Sequence, residues 1–109
     1  MNIWSLNKDI SIKQLLVMLQ HEFDPASFLV DGETLTDDKA IFLTHRDTPA
    51  MRAYIFTLAQ AEERYGVQLE FPPQNAPLQL IENYENLRYA ALKEILSVHL
   101  DLYENSPNA

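Results

Sequence analysis

Between positions 44 and 48 the chain reads Thr44-His45-Arg46-Asp47-Thr48, which puts an imidazole, a guanidinium, a carboxylate and two hydroxyls in one short stretch. If Asp47 or Thr48 capped a helix, its free first-turn N–H groups would bind an anion, Arg46 would add positive charge, and His45 would stand ready for proton transfer. The plainer account is a cap flanked by two solvated side chains. The lack of a glycine-rich cradle, which brings backbone close to a phosphate, favours it.

Arg88 and His99 form a second pair, stacked along one line of an expected last helix and inside its apolar arc. A charge there needs a partner, and Glu85 at i−3 is the nearest candidate. An Arg–Glu pair at the edge of the core or on a dimer seam, with His99 as a neutral ring, explains both residues without chemistry. His21 lies opposite the apolar stripe of the first helix, and no H-E-x-x-H or paired-histidine spacing occurs. Asp31-Gly32-Glu33 with Asp37-Asp38 lacks the spacing of a calcium loop and reads as turn residues on an acidic rim. No metal or cofactor is expected. No nucleophile–base arrangement can be read from spacing, so an enzyme is the less favoured reading.

The charge balance limits the partners. Sixteen Asp and Glu against eight Lys and Arg give a net −8, which opposes binding to nucleic acid and to anionic membranes, because both depend on basic residues. The segments 1–24, 25–50, 51–75 and 76–109 carry −1, −3, −1 and −3, so the acid is spread over the chain. There is no cysteine, hence no disulfide framework or thiolate zinc site. No signal-peptide pattern and no apolar run approaching the ~20 residues of a bilayer span is found, so a soluble cytoplasmic protein is expected.

The elements that must carry these residues follow from periodicity. Ser11 is the expected N-cap of an amphipathic helix with Ile12, Leu15, Leu16, Leu19 and Phe23 on one face, ending near Asp24-Pro25. Phe28-Leu29-Val30 before Asp31-Gly32 predicts a short strand and turn. Ala40 to Thr44 is an unalternating apolar run, which predicts a strand covered on both faces. Residues 49–65 allow two readings. A helix is preferred, with Pro49 at its first position, four alanines inside and Gly66 ending it in a left-handed conformation. The alternative is a hairpin pairing Tyr54-Ile55-Phe56-Thr57 with Val67 to Phe71. It would have to turn through Gln60 to Arg64, where there is no Gly, Pro or Asn. After Pro72-Pro73, Asn75 is expected to cap a long last helix with Pro77 near its start. Its broad stripe includes Leu80, Ile81, Tyr84, Leu87, Leu92, Ile95, Val98 and Leu102.

The expected fold is therefore a small two- to three-layer α/β or α+β domain, ordered helix, strands, helix, strand, helix, with a long amphipathic C-terminal helix. Its alternative is an antiparallel sheet flanked by two helices. Residues 1–104 are expected to form one domain and 105–109 a frayed polar tail. Val17 and Met18, off the first stripe, and Leu96, Leu100 and Tyr103, which extend the last one with Arg88 and His99, exceed what one chain is expected to bury. The favoured function is an acidic protein-interaction or regulatory module, of inhibitor, immunity or chaperone-like kind, that binds a basic protein or self-associates. The alternative is a ligand- or anion-binding or catalytic domain using His45, Arg46, Asp47 and Thr48. A charge at Leu96 should disrupt the first function, and His45→Ala the second.

Overall fold

A computed structural model describes residues 2–32, 34–73 and 81–104. The chain is a small α+β domain of two helices and a five-stranded antiparallel sheet, in the order α1 (Ile10–Glu22), β1 (Phe28–Asp31), β2 (Ala40–His45), β3 (Arg52–Phe56), β4 (Tyr65–Glu70), β5 (Ile81–Leu87) and α2 (Tyr89–His99). Each strand pairs with its sequence neighbour, giving the sheet order β1-β2-β3-β4-β5.

The first helix is as its periodicity predicts: Ile12, Leu15, Leu16 and Leu19 are buried, and Phe23 is the C-cap. The cap lies slightly upstream of Ser11. Asp9 accepts from the Ser11 N–H at 3.0 Å and from its hydroxyl at 2.6 Å, so Ser11 is the donor rather than the cap.

Residues 49–65 are not helical. They hold β3 and a long turn, so the hairpin reading is the correct one. Ile41, Ile55 and Val67 stand in register across β2, β3 and β4, as do Leu43, Ala53 and Leu69, and all six are buried. The other alternate residues, Phe42, Thr44, Arg52, Tyr54 and Glu70, are only half-buried, so β2 is covered on one face rather than both. Gly66 ends no helix and has no positive φ. It sits in β4 opposite Phe56.

The expected long last helix is also two elements. Residues 81–87 pair with β4, and α2 begins only at Tyr89. Apolar residues at 81, 84 and 87 mimic helical spacing, but a bulge between Tyr84 and Leu87 resets the strand alternation. Tyr84 pairs with Val67 and Leu87 with Tyr65, both on the buried side. The expected cap at Asn75, Pro77, Leu80 and the tail 105–109 lie outside the described residues.

Leu92, Leu96 and Leu100 of the α2 segment join the α1 stripe and the inward sheet residues in one core cluster. Both helices therefore cover the same face. They are joined at Glu22, which accepts from the Tyr89 hydroxyl and from Lys93 Nζ at 3.1 Å. Among the described residues, no helix is long and apolar enough to cross a membrane.

Candidate binding surfaces

The loop at residues 44–48 connects β2 to β3, so no helix start stands behind it. The imidazole of His45 turns back on its own loop: Nδ1 accepts from the Asp47 N–H at 3.0 Å and the Thr48 N–H at 3.1 Å. The amides that would have faced an anion are therefore used inside the turn. Arg46 reaches across the molecule instead. Its guanidinium donates to the carbonyls of Ser27 and Asp101, pairs with the Asp101 carboxylate at 3.0 Å, and lies 5.1 Å from the Tyr103 ring centre. Asp47, at 3.5 Å from Arg46 Nε, adds a second carboxylate. The expected anion site lacks its helix and is occupied by the protein's own groups. It clasps the β2–β3 loop to the end of α2.

The expected interface residues separate. Leu96 and Leu100 have no exposed surface, and His99 is buried with Nε2 at 2.9 Å from the Arg52 carbonyl and its ring edge-on to Phe71. A charge at Leu96 would thus break the core rather than test a surface. The last helix turns these residues inward because it is short and lies on the sheet. Val98, expected on its buried stripe, is 82% exposed. Arg88 does not share a helix with Glu85: it is the N-cap of α2, exposed, while Glu85 is on β5 and accepts from Gln60 Nε2 at 3.3 Å. Val17, Met18 and Arg88 do come together, on the wall of one cavity that also includes Trp4 and Tyr89. Tyr103 lies apart, at the Arg46 clasp.

The acidic turn residues near β1 are likewise structural. Asp31 accepts from the Thr34 N–H at 3.0 Å, and Asp37 from the Lys39 N–H at 2.9 Å, a bond that holds its carboxyl below the usual range. Among the described residues, no three His, Asp or Glu side chains gather to hold a metal.

The sequence reading missed the surface beside β5, because that segment looked helical. β5 is an edge strand of seven residues, nearly all exposed, with no strand on its outer side among the described residues. Glu82 and Tyr84 pair with Leu69 and Val67 and so stand on the helix side of the sheet. There, Tyr84, Phe71, Ile95 and Val98 line an apolar groove of about 430 Å³, with Glu82 and Glu94 also on its wall. Glu82 accepts from the Tyr84 hydroxyl at 3.1 Å, which pushes the phenol's pKa up. Neither Glu82 nor Glu94 is paired with a cation among the described residues.

A small α+β domain with a strand edge left open among the described residues and an acid-walled groove is the class these features define. Comparison with models of protein families, with curated proteins and with solved structures finds no match to this chain.

Proposed function

We propose that this protein is an interaction module that captures an extended, basic segment of a partner protein along β5. The carrying observation is the coincidence of a strand edge that no described strand covers with an apolar groove walled by two carboxylates that have no described cation partner. An added strand would supply the backbone groups that edge lacks. Alternate apolar side chains would enter the groove and alternate Lys or Arg would meet Glu82 and Glu94. The net −8 steers a basic partner in the same direction. A second copy is the less suited occupant, since each chain would bring the same charge and the same acidic edge.

The test uses two synthetic strands, one alternating lysine with valine and one alternating glutamate with valine. Titration of the lysine peptide should protect the amides of residues 81–87 from exchange, weaken with salt, and weaken about tenfold on combined Glu82→Lys and Glu94→Lys. Equal binding of both peptides, or protection elsewhere than β5, would overturn the reading.

A further inference from the structure

On the opposite flank, between α1 and the start of α2, lies the cavity that gathers Val17, Met18 and Arg88. It measures about 660 Å³, and its apolar wall is made by Trp4, Val17, Met18 and the rings of Tyr65 and Tyr89. Two of the chain's eight Lys and Arg side chains, Arg64 and Arg88, also line it.

Three features of this wall ask for the same kind of group. Tyr65 is 7% exposed and its ring is part of the core cluster, while the residue also lines this cavity and its hydroxyl makes no hydrogen bond among the described residues. No fully buried polar side-chain atom is left unpartnered among the described residues, so this hydroxyl is the tip of an otherwise buried ring that reaches the surface and is free to donate to a ligand. Burial, with Glu63 nearby, pushes its pKa up, and it remains protonated at neutral pH. The second feature is the start of α2, an eleven-residue helix. The Ala91 and Leu92 N–H groups both turn to the Arg88 carbonyl, at 3.1 and 3.0 Å, which leaves those of Tyr89 and Ala90 without an intrahelical acceptor. Arg88 caps with no side-chain bond, and the first turn contains no acid. No side chain of the cap or of the first turn therefore offsets the positive end of the helix. The third is the Arg88 guanidinium itself, which pairs with no described carboxylate. Tyr89 differs, because its hydroxyl is committed to Glu22 and only its ring is left for the cavity.

We propose that this cavity binds a small organic monoanion, a carboxylate carried on an apolar or aromatic body. The carboxylate would accept from the Tyr65 hydroxyl, the first N–H groups of α2 and Arg88, while the body lies against Trp4, Val17, Met18 and the Tyr89 ring. Glu62 and Glu63 on the same wall limit the ligand to one negative charge. This site shares no residue with the β5 groove, and the two proposals stand or fall separately.

Trp4 is the chain's one tryptophan and reports directly on occupancy. Titration with 3-phenylpropionate should give a saturable change in Trp4 fluorescence and shift the Tyr89 and Ala90 amides, whereas phenethylamine, with the same ring and a cation in place of the acid, should give neither. Arg88→Gln should weaken the acid about tenfold and Tyr65→Phe severalfold. Both variants should melt like the parent, Arg88 being exposed and Phe keeping the buried ring. No saturation at millimolar acid, equal binding of the amine, or an affinity indifferent to Arg88→Gln would overturn the proposal.

Discussion

Gly66 shows how one missing side chain organises the open face of the sheet. A Cβ built there would stand 2.1 Å from Phe56 Cζ and 2.2 and 2.8 Å from its two Cε atoms, so the ring lies directly over the glycine across the β3–β4 pair. The same ring is 5.8 Å from Tyr54, which is 5.0 Å from Phe42, and the Arg52 guanidinium lies 4.0 Å from the Phe42 ring centre while paired with Glu70 at 2.8 Å. Gly66→Ala should therefore destabilise the domain by about 1–2 kcal/mol, as an overpacked site does. In a Phe56→Ala background the same change should cost almost nothing, and a double-mutant cycle by urea unfolding measures the difference. The local role of Gly66 was misread for a physical reason: a glycine's neighbour across a sheet is set by strand register, which its own sequence surroundings do not contain. His45 and Arg46 stand out in the sequence by their chemistry, but their partners, two amides of the same turn and a carboxylate at Asp101, become visible only once the loop and the end of α2 are placed.

At the scale of elements, α1 was legible because its stripe, its cap region and its Pro25 stop all agree. The β3–β4 turn was not, since its local chemistry argues against a turn and distant contacts prevail. Gln60 accepts from the Asn86 N–H at 2.7 Å, and Arg64 donates to the Asn86 carbonyl at 3.1 Å, tying the turn to the bulge of β5. In the absence of glycine, Ala59 and Glu63 take the left-handed conformation, at φ 59° and 60°. Each costs about 1–2 kcal/mol relative to glycine, offset in part by the ~0.5–1 kcal/mol of chain entropy that glycine adds to the unfolded state. Ala59→Gly and Glu63→Gly should each raise stability by about 0.5–1 kcal/mol in urea unfolding. A loss in either would mean that the side chain contributes more than its backbone strain removes. β5 was hidden for a related reason: its bulge, with Asn86 at φ 57°, turns a three-residue apolar spacing into a strand pattern. The groove beside it was hidden with it.

For the whole molecule, the two covering helices are the parts most exposed to acid. Glu22 closes α1 onto α2, and the Tyr89 hydroxyl first, then Lys93, hold its carboxyl below the usual glutamate range. The folded carboxylate is thus the stronger acid, and in the acid range the unfolded chain binds more protons. Its contribution to stability is fully present above the ordinary value near 4.5 and is lost as the pH falls through the lowered folded value. Asp9, held low by Ser11, and Asp37, held low by the Lys39 amide, act in the same direction. Opposing them is the net charge of −8, whose self-repulsion acid relieves. That repulsion is spread over the surface and screened by salt, while the Glu22 contacts are short and local. In moderate salt the local term should win, so the urea midpoint should fall as the pH drops below about 4.5. Glu22→Gln keeps an acceptor for Tyr89 but cannot titrate, and it should flatten that fall. Tyr89→Phe should flatten it further than a change at Lys93, because the hydroxyl is the larger cause of the shift. If Glu22→Gln preserved the full slope, acid sensitivity would have to arise at the Asp9 and Asp37 caps, and the helix pair would not be what acid loosens first.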